Sequence, residues 1–538
     1  MSIAYYKHAN GTTYVYDSVD YWDKDKKQSR SKRTCIGKLD EDGNIIYSKR
    51  FAKAVPESVP QVKPGPVPAT HTRRLFYGAT YLLDQIGDKL GITADLKTCF
   101  PSTWRQLLSI AYYLILDDSG ALLRFEKWGS IHRHPYGEDI PSQRSSEIFQ
   151  DIKEEEKNRF FLLQGKRRVE NEFLAYDIST ISSYSETLRQ VQYGKNKEND
   201  RLPQFNLALV YGQESNLPYY YRKLAGNIPD VSTLRTLLAD LDDLGFHKLK
   251  VVLDRGFYSE ANINALYKDH LKFLLAASTS LNFIKRALDS VYDELDLYQY
   301  YDENHHLYAT TVQTEWDYTE ERPYKKDVIT GKRRIYVHLF YNAEKAAADR
   351  SSLEEHVTSL WHELMEERTV PEHANQYKKY FIVRNMPKRG REVIVKDEAM
   401  RKARRYYGYF ALISNIKMDA ITALETYRNR DIVEKAFGNL KDRLNLRRAL
   451  ASSEQGLSGK LFVEFVALIY LSYIKKQMQA NNLFKDYTMQ QVFDKLDVIE
   501  CFENPGDALR VGEVLKKQHD LYEKLGVVPP VPYLESSL

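Results

Sequence analysis

Residues Tyr427 to Lys441, Tyr-Arg-Asn-Arg-Asp-Ile-Val-Glu-Lys-Ala-Phe-Gly-Asn-Leu-Lys, carry the densest chemistry in the chain. The stretch has no proline and a single glycine, Gly438, and reads as one helix. At about 100° per residue, Tyr427, Arg430, Glu434 and Lys441 fall within roughly 60° of one another. Val433, Phe437, Leu440 and Leu444 form an adjoining apolar stripe that seats such a helix on a core. One carboxylate therefore stands beside two cations and a phenol on one exposed edge. An acid able to hold a metal, flanked by groups able to hold phosphate, is what cutting or joining a nucleic-acid backbone requires.

Two further acids fit the same chemistry. Asp177 ends the predicted strand Phe173-Leu-Ala-Tyr-Asp177, and Asp254 ends Lys248-Leu-Lys-Val-Val-Leu-Asp254, just ahead of Arg255-Gly256. Open α/β sheets place ligand sites at the carboxyl ends of their strands. Asp177, Asp254 and Glu434, brought together, are hard oxygen ligands for two Mg²⁺ ions, with Mn²⁺ an alternative. Such a pair activates a water or a 3′-hydroxyl and stabilises the leaving oxygen of an in-line displacement at phosphorus. Arg430 offers phosphate a fork and Lys441 a point charge. Each acid also has a plainer reading: an Asp after a strand caps a helix or forms a turn, and a Glu on a charged helix is solvated. The combination, rather than any one residue, points to a site.

The elements that must position these groups follow from periodicity. Residues 1–58 alternate as a β-rich N-terminal domain, with strands at Thr13-Tyr-Val-Tyr16, Thr34-Cys-Ile-Gly37 and Asn44-Ile-Ile-Tyr47 and a hairpin turn at Asp42-Gly43. Pro56, Pro60, Pro64, Pro66 and Pro68 mark a stiff linker over 59–70. Residues 71–170 read as a helical DNA-binding domain. From 171 to 280, three strands, a helix, a strand, a helix and a strand give the order of a ribonuclease H-like core, an α/β fold. A β-rich insertion spans 281–404. The core resumes over 405–480 with Tyr409-Phe-Ala-Leu-Ile-Ser414 and the apolar helix Leu461 to Tyr473, and 481–538 reads as a helical tail.

Composition narrows the setting. No run of about 18 apolar residues and no basic-then-apolar leader is evident, so neither spanning nor secretion is expected. Cys35, Cys99 and Cys501 lie too far apart for a disulfide framework or a CxxC-type zinc site, which suits a reducing cytoplasm. A net charge of +4 singles out no partner. The basic runs Lys24 to Arg33 and Arg401 to Arg405, the second followed by Tyr406-Tyr407, suit phosphate and base contacts and equally suit a solvated surface.

The spacing Tyr427-x-x-Arg430-x-x-x-Glu434-x-x-x-x-x-x-Lys441 resembles the YREK signature of bacterial DDE transposases in the insertion-sequence-four superfamily. Asp177-Ile-Ser-Thr-Ile-Ser-Ser183 looks like the region of the first acid in that family, and Gly226-Asn227, Asp230 and Val251-Val-Leu-Asp-Arg-Gly256 like the approach to the second. Tyr14-Val-Tyr16, Tyr21-Trp22 and Lys26-Lys-Gln-Ser-Arg30 are similar to a branch with an N-terminal leader domain. The resemblance implies a ribonuclease H-like core interrupted by a β-strand insertion. It also implies a DNA transposase that binds the terminal inverted repeats of an insertion sequence. Cut-and-paste cleavage and strand transfer would proceed through a hairpin, on double-stranded DNA ends and target, by a homodimer in a bacterial cytoplasm at the nucleoid. On this resemblance Asp177, Asp254 and Glu434 are the catalytic metal ligands, and Tyr427, Arg430 and Lys441 contact DNA phosphates. Relatives stack an insertion tryptophan on a flipped base; Trp316 is the expected counterpart, since Trp361 falls in an amphipathic helix. Many relatives carry a histidine where this chain has Gly459-Lys460, a departure to which no role is carried. Two other functions use the same residues: an inactive, transposase-derived DNA-binding repressor, and a metal-dependent nuclease without strand transfer.

Overall fold

The computed structural model describes the chain except for residues 1, 9–10, 24–25, 41–44, 49–71, 118–120, 169–170, 186–187, 195–200, 247–248, 323–326, 387–389, 445, 447, 450, 452, 505–507 and 535–538. The proline-rich linker and the Asp42-Gly43 turn lie outside the described residues. The chain divides into two compact units, Met1–Thr72 with Asn504–Ala508, and Arg73–Glu503 with Leu509–Leu538.

The first unit holds a four-stranded antiparallel sheet, Ser2–Lys7, Thr13–Asp23, Gln28–Leu39 and Ile45–Tyr47, each strand beside the next in sequence. Its core is thin: Val15 and Ile36 are buried, while Tyr5, Tyr21 and Trp22 remain exposed. The guanidinium of Arg33, the end of the first basic run, lies 4.9 Å from the centre of the Tyr6 ring.

The second unit is built on one large mixed sheet. From edge to edge its strands run Tyr301–Asp302, Leu307–Arg322, Asp327–Tyr341, Tyr409–Ser414, Lys272–Ala277, Lys250–Leu253, Phe173–Ser183, Gln204–Gly212 and Pro218–Ala225. Lys250–Leu253 pairs in parallel with Phe173–Ser183 on one side and Lys272–Ala277 on the other, while Gln204–Gly212 and Pro218–Ala225 add antiparallel. In chain order, the last five strands of that path run third, second, first, fourth, fifth from the Pro218–Ala225 edge, with helices Asp230–Asp243 and Glu260–Lys268 in the crossovers. This is the order of a ribonuclease H-like core. The central strands are continuous apolar runs because both their faces are covered; Gln204–Gly212 is buried at every position.

Several elements depart from the sequence-based expectation. The strand carrying Asp177 does not stop there but runs on to Ser183, because Gln204–Gly212 keeps pairing with it to Ser182. The hairpin Leu307–Arg322 and Asp327–Tyr341 is not a separate β body: it extends the core sheet through Tyr409–Ser414. The remainder of the 281–404 segment, with helix Ala343–Met365 and the hairpin Phe381–Met386 and Gly390–Val395, gathers around its own core of Leu353, Leu360, Tyr380 and Met400. Helices of the 71–170 region belong to the same compact unit as the sheet, and Trp104–Leu116 and Ser142–Asp151 pack on helix Glu454–Ala480. The tail is not purely helical. Its strands Glu500–Glu503 and Leu509–Val511 join a small sheet in which Glu500–Glu503 pairs with Arg73–Phe76.

Helix Glu454–Ala480 is long and apolar enough on average to cross a membrane, although Lys460 and Glu464 keep it from being the uninterrupted apolar run sought in the sequence. Eighty-nine per cent of its most apolar window is buried inside the protein, which makes it a core helix wrapped on all sides.

Candidate active site

Register brings the two aspartates side by side. The parallel ladder pairs Phe173 with Lys250 and continues to Tyr176 with Leu253, so one further step sets Asp177 opposite Asp254. Side chains alternate along strands, so Phe173 and Asp177 share a face with Val252 and Asp254. Phe173 and Val252 pack there with Ala420, Ala423 and Leu424 of helix Ala420–Arg428. Asp254 stands at the carboxyl end of its strand, as the cap of a single turn Arg255–Phe257.

The third acid arrives on a broken helix, not on the continuous one that periodicity suggests. Helix Ala420–Arg428 is capped by Asp419, whose side chain accepts the amide of Thr422, and it ends at Asn429. Helix Asp431–Gly438 then begins at Arg430. Across the junction, i→i+3 hydrogen bonds replace the regular ladder: the amide of Arg430 donates to Tyr427 and that of Val433 to Arg430. Asn429 and Asp431 flank the junction, and both types compete with the helical backbone for hydrogen bonds. Val433, Ala436 and Phe437 seat the second helix on the Asp177 strand and its neighbour Gln204–Gly212.

The break turns Tyr427 and Arg430 toward the aspartates. Tyr427 donates its phenol to Oδ1 of Asp254 at 2.8 Å. Arg430 stands among all three acids, with Nη2 2.7 Å from Glu434 Oε1, Nη1 3.6 Å from Asp177 Oδ2, and Nη2 3.9 Å from Asp254 Oδ1. Its side chain is 12% exposed, against 51% for Glu434. Asp177 Oδ1 also accepts the amide of Ile178. Burial acts to raise the pKa of Asp254, but the Tyr427 hydroxyl, the Arg255 amide and the Arg430 charge outweigh it and hold the carboxyl below its ordinary value. Burial and the Asp254 carboxylate push the Tyr427 phenol up, so it stays a donor at neutral pH.

The carboxylates converge on a cation without closing into a metal shell. Among the described residues, the group of three ligand atoms within 4.8 Å of one another is His519, Asp520 and Glu523, all exposed on a surface helix. The donor set Asp177, Asp254 and Glu434 nonetheless fits a hard divalent cation, and the position already attracts positive charge in the form of Arg430. Arg255, the residue after Asp254, lines a cleft of about 510 Å³ with Ser278, Lys345, Asp349, His356 and Tyr406.

The family profile described as Transposase DDE domain matches residues 170–470, more than half of the 538-residue chain. The chain belongs to the DDE transposase family. The matched span contains the sheet, both aspartates and the broken helix of this transposase. Among solved structures, it is similar to a piggyBac transposase synaptic complex with hairpin DNA, at 10% identity over 77% of this chain and 70% of that one, with a TM-score of 0.31. It is also similar to a Mos1 transposase paired-end complex, at 14% identity over 25% of this chain and 43% of that one, with a TM-score of 0.15. No curated protein matches it.

The remaining residues expected at the site sit less simply. Lys441 is half-buried within a π-turn, Asn439–Arg443, whose wider winding shifts it from the position a regular helix assigns. Trp316 is not displayed for stacking. It is 7% exposed, its indole N–H donates to Asn264 Oδ1 at 2.8 Å, and its ring meets Phe283 edge to face. Strand alternation placed it on one face of its hairpin but gave no sign that helix Asn282–Asp289 covers that face. Gly459 has a packing reason: a Cβ there would lie 2.0 Å from the Phe149 carbonyl oxygen. The cleft lined by Arg255 was signalled in sequence only by Tyr406-Tyr407. Arg405, in the same basic run, is held by Asp289 and lies 5.0 Å from the Tyr292 ring centre.

Proposed function

We propose that this transposase binds the terminal inverted repeats of an insertion sequence as a homodimer on double-stranded DNA, and cuts and rejoins those ends by cut-and-paste transposition through a hairpin. The observation that carries the reading is the in-register pair Asp177 and Asp254 with Glu434 joined to them through Arg430. Asp177, Asp254 and Glu434 would hold Mg²⁺ or Mn²⁺, as two ions, which when bound supply Lewis-acid activation of the attacking oxygen and neutralise charge on the leaving oxygen. Tyr427 fixes one Asp254 oxygen. Arg430 and Lys441 supply cations for the phosphates flanking the cut. The cleft lined by Arg255 also holds Lys345, paired there with Asp349, and Tyr406, so it offers a cation and an aromatic ring to a single strand.

The test is cleavage and joining of a linear duplex carrying the element's own end, with Mg²⁺, by wild type and by Glu434→Ala, with end binding measured on the same samples. Loss of a metal ligand is expected to slow the chemistry by orders of magnitude, each tenfold being about 1.4 kcal/mol of barrier, with binding retained. End-specific binding without cleavage by either protein would select the repressor, and cleavage without joining the nuclease.

A further inference from the structure

We propose that Arg430 is the resident counter-ion of the three carboxylates and must leave them before a divalent cation binds, so that DNA phosphate opens the site to metal by taking Arg430. The proposal rests on the functional reading above and deepens it.

The geometry is that of a cation held by charge more than by directed bonds. Of the three carboxylates around the guanidinium, only Glu434, at 2.7 Å, lies within hydrogen-bond range; the contacts to Asp177 and Asp254 are 3.6 and 3.9 Å. The side chain is 12% exposed, yet its Nε–H is buried without an acceptor among the described residues. A guanidinium has five donors in a fixed fork, and a phosphate can accept two of them side by side. The present pose therefore leaves Arg430 under-used, and a phosphate at the site would bind it better than the spread carboxylates do.

The acids show the complementary defect. Their ligand oxygens do not form a shell within 4.8 Å, and the group standing between them is Arg430. A guanidinium and a divalent cation within about 4 Å of the same oxygens repel strongly wherever water is partly excluded. Arg430 also sits at the junction of two helices, where the regular ladder is interrupted. Its departure breaks no helical hydrogen bond, because only the side chain has to move.

Mn²⁺ binding to the full chain, followed by the electron paramagnetic resonance of free Mn²⁺, tests this without any turnover. In the absence of DNA, Arg430→Gln is expected to bind Mn²⁺ at least about tenfold more tightly than wild type, the direction required when a like charge is removed at this range. A duplex of the element's end is expected to tighten Mn²⁺ binding by wild type and to do so much less for Arg430→Gln, since the coupling runs through that side chain. Arg430→Lys keeps the charge but loses the fork, and is expected to fall between the two; it serves if Arg430→Gln does not fold. Neither variant binding Mn²⁺ more tightly than wild type, or an equal gain from DNA with and without Arg430, would overturn the proposal. Mn²⁺ affinity indifferent to Asp177→Asn in the Arg430→Gln background would overturn the functional reading itself, and this proposal with it.

Discussion

Tyr427 donates its phenolic hydrogen to Asp254 across 2.8 Å, tying the last turn of one helix to the residue just past a parallel strand. The bond makes Tyr427 a positioning residue for Asp254, whatever it touches when DNA is bound. It also helps hold the Asp254 carboxyl below its ordinary value of 3.8 against the opposing effect of burial. A depressed carboxylate contributes stability that is present above the unfolded-state pKa and is lost as pH falls through the folded one. Tyr427→Phe removes part of that depression. The acid limb of the cleavage profile should move to higher pH, and loss of the hydrogen bond should lower stability near neutrality by about 1 kcal/mol or less, because Asp254 is 45% exposed and screened. A cleavage profile whose acid limb stays in place would show that Tyr427 does not tune Asp254.

Trp316 is expected to behave as a core residue. Trp316→Ala removes a ring packed on Phe283 and takes the donor from Asn264 Oδ1, and should cost about 3–5 kcal/mol in chemical denaturation. Trp316→Phe keeps most of the packing, and should lose about 1 kcal/mol for the hydrogen bond, with end cleavage and binding changed together or not at all. Selective loss of cleavage in a stable Trp316→Phe protein would restore a direct role on DNA.

Gly459 separates two effects of opposite sign. Alanine gains about 1 kcal/mol over glycine in a helix interior. Here the new methyl would meet the Phe149 carbonyl at 2.0 Å, where helices Glu454–Ala480 and Ser142–Asp151 touch. The obstacle is backbone and cannot swing aside, so overpacking of about 1–3 kcal/mol or more should win. Gly459→Ala is expected to lower the urea midpoint; a raised midpoint would mean that the helices part without cost.

That Asp177 and Asp254 stand at neighbouring strand positions was legible because Val251-Val-Leu-Asp254 and Phe173-Leu-Ala-Tyr-Asp177 are apolar runs, each with a charge at its end. What those runs did not show was where pairing stops. The Asp177 strand continues six residues beyond the acid because its partner does, and partners are a tertiary matter. The helical wheel correctly grouped Tyr427, Arg430 and Glu434, but no periodicity reveals that two tightened turns at Asn429 and Arg430 aim the arginine at all three acids. Lys441 lost its predicted phase to a π-turn for the same reason. Trp316 and the long core helix share another limit: apolar residues in sequence mark a face, whereas what covers the face comes from chain far away, as Phe283 and helix Trp104–Leu116 do here.

Glu464 offers a test of that covered helix. It is fully buried on helix Glu454–Ala480, neither side-chain oxygen has a hydrogen-bond partner among the described residues, and Lys460 approaches only to 3.8 Å. Burial pushes its pKa up from 4.5 to about 7, with Lys460 opposing. The unfolded chain therefore releases this proton near 4.5 while the folded one keeps it to about 7. Between those values the unfolded state binds fewer protons, and the contribution of Glu464 to stability falls as pH rises. Glu464→Gln has no proton to lose and resembles the neutral acid in shape. At pH 4.5 variant and wild type should differ little. By pH 7.5 the difference should have moved in favour of the variant by on the order of 3 kcal/mol, read as a gap between their urea denaturation curves. A gap that stays constant across this range would show that Glu464 is already ionised in the folded protein, with Lys460 or water reaching it closely enough to offset the burial.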